Sequence, residues 1–314
     1  MKFPFSFWKT TKPVISALSY PLMAPELGGG TTVLLYGVNL TAVTAVHVGG
    51  QTVAPTGTSF DVIGFVWPAN TASITPYNIS VTSPQGTSNV LANAVYYVPS
   101  CFTNLWWAGE GVGLAEDPIT PGVWEDCLNT NTLPHASHSI LPTYVPNWHA
   151  GNPAWSFDGT GAAIFQGLVL NGIPQPASIF VVGDSNALGV QQNLFDSDDD
   201  PTNRWIGTVG YPATDELLID AEGAFFNSTD VFSTPCLVEF GFNGASSYIT
   251  KNNTSTTTGT VNPGPFVGMT VGAEESTAGN YLNGHIALIA VTNPLPTAPQ
   301  QVIFAGIMHA LGIF

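Results

Sequence analysis

The sequence predicts an all-β chain, two β-sandwiches in tandem closed by one short C-terminal helix. Three observations carry that expectation. Glycine and proline are frequent, 33 and 25 of 314 residues, which suits many strands joined by tight turns and is high for a helical protein. Apolar residues recur in short alternating segments about 8–12 residues apart, separated by Gly, Pro and Asn. No long stretch carries a helical period before residue 298.

Composition also bounds function. Hydrophobic residues make up 44% of the chain and charged residues 8%, so solubility rests on Thr, Ser, Asn and Gln. The basic residues are Lys2, Lys9, Lys12, Arg204 and Lys251, which leaves residues 13–314 with 21 acidic against 2 basic side chains, a net of −19. Such a body repels phosphate backbones and anionic lipid. Nucleic-acid binding is thereby excluded, and no membrane partner is expected. No apolar run reaches the roughly 18 residues of a spanning helix. The three cysteines, Cys101, Cys127 and Cys236, are odd in number and lack CxxC spacing, which argues against zinc and against a disulfide framework. They are expected as small buried side chains, with a Cys101–Cys127 bridge the alternative in an oxidising compartment.

The first twelve residues, Met1-Lys-Phe-Pro-Phe-Ser-Phe-Trp-Lys-Thr-Thr-Lys12, read as an attachment arm. Phe3, Phe5, Phe7 and Trp8 gather more apolar area than an isolated tail keeps in water. An aromatic, basic arm on an acidic body suits a peg inserted into another protein; the alternative is an arm folded back on its own domain. The basic start followed by Pro13-Val-Ile-Ser-Ala-Leu-Ser-Tyr-Pro-Leu-Met-Ala-Pro25 has the outline of a signal peptide, basic, then apolar, then small. Pro13 and Pro21 interrupt its apolar run and Lys9 and Lys12 lie far in, so no signal peptide is expected.

Residues 13–99 read as a separate module. Its segments are Pro13-Val-Ile-Ser-Ala-Leu-Ser-Tyr-Pro21, Gly28-Gly-Gly-Thr-Thr-Val-Leu-Leu-Tyr-Gly-Val-Asn-Leu40, Val46-His-Val-Gly-Gly50, the strand ending Phe65-Val-Trp-Pro68, Tyr77-Asn-Ile-Ser-Val-Thr-Ser-Pro84 and Ala94-Val-Tyr-Tyr-Val98. Short alternating strands at this spacing indicate a small sandwich. His47 alternates with Val46 and Val48 and is expected on the opposite, solvated face. In order and extent these segments resemble an IPT/TIG domain, which implies an immunoglobulin-like fold. Only Glu26 and Asp61 are charged between residues 13 and 100, so the module reads as a spacer or docking domain.

Residues 100–314 form the second module. Trp106-Trp107 opens it, and Trp124-Glu-Asp-Cys127 and Pro142-Thr-Tyr144 follow. Gly151-Asn-Pro-Ala-Trp-Ser-Phe-Asp-Gly159 ends a strand. Tyr281-Leu-Asn-Gly-His-Ile-Ala-Leu-Ile-Ala-Val291 reads as a late strand entered through an Asn283-Gly284 turn. Asn293-Pro-Leu-Pro-Thr297 is a loop, and a helix falls within residues 298–311 with Pro299 in its first turn. The series resembles the LamG-like members of the concanavalin A-like jelly-roll superfamily. That resemblance implies two packed antiparallel sheets, with Trp106, Trp107, Trp124 and Trp155 in the core. It implies ligands held along one edge or on the concave sheet.

The sequence offers three candidate chemistries. Ile179-Phe-Val-Val-Gly-Asp-Ser185 resembles the first block of GDSL-type hydrolases, with Ser185 as nucleophile. Such a serine needs a base, yet no Asp-x-x-His occurs and His309 has Gly306 at that offset. Glycoside hydrolysis needs two carboxylates facing one cleft. Glu116-Asp117, Glu125-Asp126, Asp215-Glu216 and Glu274-Glu275 are adjacent and point apart on any strand; Asp220 and Glu222 alternate without a third acid. A non-enzyme is expected. Asp196, Asp198 and Asp200 alternate before a carbonyl-rich turn and could hold calcium, although the EF-hand Gly and distal Glu are missing; a solvated acidic loop is the alternative.

Recognition remains. Trp148, Trp205 and Tyr211, with Asn203, Arg204 and Asn147, are the candidates for stacking on sugars and bonding their hydroxyls. Chains that pair an Ig-like module with a jelly roll resemble bacteriophage capsid decoration, head-fibre or tail proteins. The expectation is a structural protein on a virion surface with a lectin-like head. Its partners would be the major capsid or tail protein, glycans and other copies of itself. A secreted bacterial adhesin or polysaccharide-binding module, extracellular, is the alternative, and a glycan-active hydrolase a more distant one.

Overall fold

The computed structural model describes residues 11–18, 23–108, 123–128, 132–134, 142–160, 165–167, 172–187, 189–197, 204–210, 216–274 and 279–314. The described residues divide into two compact units. One draws on Met1–Thr71 and Thr75–Tyr97, the other on Ala72–Ile74 and Val98–Phe314.

The first unit is an immunoglobulin-like sandwich of two sheets. One orders Val14–Leu18, Gly29–Val38, Val62–Trp67 and Gly57–Thr58. The other orders Met23–Pro25, Leu91–Val98, Tyr77–Ser83, Ala45–Val48 and Gln51–Val53, with Gly86–Thr87 beside Tyr77–Ser83. Period-2 alternation sends Val33, Leu35, Ile63 and Phe65 inward from one sheet and Val46, Val48, Ile79 and Val81 from the other. His47, between two buried valines, points outward and sits between Thr52 Oγ1 at 3.0 Å and Thr82 Oγ1 at 2.8 Å.

The second unit is a jelly-roll sandwich. Its larger sheet orders Thr143–His149, Asn152–Asp158, Asn283–Thr292, Ala177–Ser185, Cys236–Phe242, Ser247–Lys251 and Ser255–Gly259, with Phe102–Trp107 also pairing Asn283–Thr292. The smaller sheet orders Phe165–Gly167, Met269–Val271, Gln192–Asp196, Trp205–Val209, Glu216–Ala221 and Ala224–Val231. Between them lies a core that includes Trp106, Trp124, Trp155, Trp205, Phe240 and Phe242. Asp126 is buried in that region as a carboxylate clamp. It accepts from Asn104 Nδ2 at 2.7 Å, Leu105 N at 3.0 Å and Leu128 N at 2.9 Å.

The helix Ala298–Ala310 covers the outer face of the larger sheet. It starts at Thr297, whose N–H donates to Gln300 Oε1 at 2.9 Å. Phe304 lies 4.2 Å from Phe102 and 5.1 Å from Phe180, centroid to centroid. Gln301 reaches a buried polar group beneath, where Glu239 accepts from Ser178, Tyr248 and Gln301. All three cysteines are buried and none forms a disulfide. Burial pushes the Cys236 thiol up to about 12, which keeps it protonated and unreactive. Among the described residues, no helix is long and apolar enough to cross a membrane.

Candidate functional site

The strand Trp205–Val209 shows how the sequence builds the site. Trp205, Gly207 and Val209 point inward; Arg204, Ile206 and Thr208 point to the outer face of the smaller sheet. Gly207 is required on the inner side, because a Cβ there would sit 2.3 Å from the Phe195 ring. The neighbouring strand carries a bulge between Asn193 and Phe195. Leu194 and Phe195 therefore both enter the core, and Asn193 and Asp196, three residues apart, share the outer face. Register then sets Asn193 against Thr208 and Leu218, and Asp196 against Ile206, Asp220 and Phe225.

Apart from Asp196, these side chains line a cavity of about 170 Å³, completed by Arg204, Gln191 and Glu274. Arg204 organises its charge. Its Nε donates to Asp196 Oδ1 at 2.9 Å, and its Nη2 pairs with Asp196 Oδ2 and with Glu274 Oε1, the latter at 2.8 Å. The Asp196 hydrogen bonds and charge, and then Glu274, hold the guanidinium pKa above its usual value despite burial. Glu274 is fixed from behind by Asn280 Nδ2 at 2.6 Å. Asp220 accepts from Gly223 N at 2.9 Å. Burial raises its carboxyl pKa, against the Gly223 N–H and the Arg204 charge. Two polar atoms here have no hydrogen-bond partner among the described residues, Asn193 Oδ1 and Thr208 Oγ1, and both side chains are 1% exposed. Such atoms cost about 1–3 kcal/mol unless water or a ligand meets them. Phe225 adds an apolar wall and is 51% exposed.

Several residues singled out in the sequence fall elsewhere. Trp205 is no sugar platform. It is fully buried, its ring stacks on Phe242 at 4.2 Å, and its Nε1 donates to the Gly264 carbonyl at 2.8 Å. The reason is geometric, since neighbours on a strand face opposite sides and Arg204 takes the outer one. Asp196 is no open calcium ligand, because both its oxygens are engaged by Arg204. Among the described residues no group of three or more His, Cys, Asp or Glu is placed to hold a metal ion. Trp148 lies on the other sheet, where its Nε1 donates to Asp184 Oδ2 at 3.1 Å and its ring sits 5.9 Å from His285. His285 Nδ1 is 2.8 Å from Asp184 Oδ1. The structure thus does not bring Trp148 and Arg204 together. Tyr211, Asn203, Asp198, Asp200 and the arm residues Phe3, Phe5, Phe7 and Trp8 lie outside the described residues.

The hydrolase-like serine is engaged elsewhere. Ser185 Oγ donates to the Ala187 carbonyl at 3.0 Å and bonds Gln192. Asp184, one residue earlier, faces the opposite side with His285. Asp220 and Glu222 do not alternate along one strand either. Glu222 and Gly223 form a turn with φ of 53° and 78°, which takes Glu222 out of the pleat.

The fold and site define a two-unit β-sandwich protein with a charged, hydroxyl-bearing pocket on one outer sheet face. Residues 13–96 match the IPT/TIG domain, so the first unit belongs to that class. No curated protein matches the chain. Among solved structures, the CBM40 of the Ruminococcus gnavus IT-sialidase bound to α2,3-sialyllactose is 9% identical with a TM-score of 0.34, covering 43% of this chain and 84% of that one. Trypanosoma rangeli sialidase is 8% identical with a TM-score of 0.49, covering 76% of this chain and 43% of that one. A botulinum neurotoxin type C structure, whose description concerns interaction with two ganglioside molecules, is 11% identical with a TM-score of 0.41, covering 56% and 48%. At such scores these likenesses assign neither ligand nor activity.

Proposed function

We propose that this chain is a non-enzymatic carbohydrate-binding surface protein whose ligand sits in the Arg204 pocket. One observation carries the reading. The pocket joins an exposed aromatic ring, Phe225, to buried polar atoms without partners, Asn193 Oδ1 and Thr208 Oγ1, beside the carboxylates of Asp220 and Glu274. A sugar offers the complement, an apolar C–H face and a ring of hydroxyls. The engaged Ser185 supports a binding role over hydrolysis.

The test uses a glycan array probed with the full chain, Thr208→Val and Phe225→Ala. Thr208→Val removes an unpartnered hydroxyl with little change of shape, so its melting temperature should equal or exceed that of the wild type. Its glycan signal should fall about tenfold, as should that of Phe225→Ala, equivalent to about 1.4 kcal/mol each. No glycan retained, or variants that bind as the wild type does, would defeat the reading.

The place of action is part of the proposal. The acidic body and the aromatic, basic residues 1–12 support display on a virus-like particle through the arm, with the IPT/TIG unit as spacer. Deleting residues 1–12 should release the protein from particles while the body melts unchanged; undiminished incorporation would favour the secreted adhesin.

A further inference from the structure

The charge of the pocket says which sugars it takes. Three carboxylates, Asp196, Asp220 and Glu274, surround a single guanidinium, so the site holds an excess of negative charge before any ligand arrives. Arg204 is already committed. Its Nε and Nη2 face Asp196, and Nη2 also meets Glu274, so the fork that would grip a ligand carboxylate in two-point fashion is occupied from within. The stretches that follow or precede the lining residues in sequence, 198–203, 211–215 and 275–278, contain no Lys or Arg. Lys251, the only other basic residue after Lys12, donates to the Val231 carbonyl at 2.6 Å and does not line the pocket.

The atoms left for a ligand are mostly acceptors. Asp220 Oδ2 has no hydrogen-bond partner among the described residues, Oδ1 taking the Gly223 N–H. Asn193 Oδ1 is buried and unmet, and Thr208 Oγ1 can accept or donate. A sugar hydroxyl donates to Asp220 Oδ2 directly, and to the other two once their side chains turn towards the cavity they line. A carboxylate has no proton to give them, and it would stand within several ångströms of like charges in a partly buried site, where repulsion is strong. The Nη1 edge of Arg204 makes no hydrogen bond to a described residue, and a hydroxyl or ring oxygen satisfies it without adding charge.

We propose that the Arg204 pocket binds neutral, hydroxyl-rich sugars and rejects carboxylated ones, sialic and uronic acids included. This rests on the glycan-binding reading above. The test is an array carrying neutral, sialylated and uronate glycans, followed by titration of the best neutral hit and its uronate counterpart at low and high salt. The expected result is hits confined to neutral glycans, with the uronate at least about tenfold weaker and the gap narrowing as salt screens it. Asp220→Asn, which keeps an oxygen for the Gly223 N–H, should lower the neutral-to-uronate ratio several-fold whatever it does to overall affinity. Sialylated or uronate glycans among the strongest hits, or a ratio unmoved by Asp220→Asn, would overturn the inference and leave glycan binding standing. An array with no hit of any kind would remove both.

Discussion

Glu239 lies under the C-terminal helix and makes the stability of the second unit depend on pH. Its carboxyl is 3% exposed and accepts from Ser178 Oγ at 2.9 Å, Tyr248 Oη at 2.6 Å and Gln301 Nε2 at 2.8 Å. Burial raises its pKa from 4.5 to about 7, and the three hydrogen bonds only partly oppose the rise. The native state therefore holds this proton more tightly than the unfolded chain. The stabilisation it brings is complete below pH 4.5 and is lost as pH rises through about 7. Such a rise corresponds to about 3 kcal/mol, of which roughly 2 to 3 lies between pH 5 and 8. Glu239→Gln removes the titration. Its amide fits if Gln301 turns its own oxygen towards it, so the fold should persist. Urea unfolding followed by tryptophan fluorescence reports mainly this unit, which holds six of the eight tryptophans. From pH 5 to 8 the wild type should lose about 2 to 3 kcal/mol relative to Glu239→Gln. Parallel stability profiles, or a wild type that gains on the variant as pH rises, would refute the reasoning.

Two further perturbations test the frame of the site. Phe304→Ala should cost about 3–5 kcal/mol by leaving a cavity against Phe102 and Phe180. A loss below about 1 kcal/mol in the same urea assay would show that the helix does not close that face. Asp196→Asn should destabilise by roughly 2 kcal/mol, a buried-pair loss discounted because Arg204 is 20% exposed and retains Glu274. Chelator should leave both melting temperatures unmoved; a chelator-induced drop in the wild type that Asp196→Asn abolishes would restore the calcium reading.

The fold was legible because strands and turns write themselves locally. Alternation placed Val46 and Val48 inward and His47 outward, and the Pro299 start marked the helix that forms at Ala298–Ala310. The tryptophans read as core, Trp106, Trp107, Trp124 and Trp155, are all buried. The site was only half legible. Arg204 stood out as one of only two cations in the acidic body, and it does line the pocket. Trp205 misled because an aromatic residue beside a polar loop looks the same whether it faces a ligand or the core. Strand phase decides between those, and the phase was set by pairing with Gln192–Asp196. Asn193 was invisible for a related reason. The bulge after it breaks the period of two, so nothing local shows that Asn193 and Asp196 share a face. Glu274 reaches Arg204 across seventy residues of sequence, a contact that no spacing rule anticipates.

The central claim, a sugar pocket on the outer face of the smaller sheet, has a direct spectroscopic reporter. Arg204 is the chain's one arginine, so its Nε–H gives a single side-chain resonance in the 15N-labelled protein. Titration with the best neutral glycan from the array should move that resonance together with the backbone amides of Thr208, Asp220 and Phe225, and leave the Trp148 indole N–H in place. Shifts at Trp148 and His285 with an unmoved Arg204 Nε–H would contradict the account and transfer the site to the other sheet.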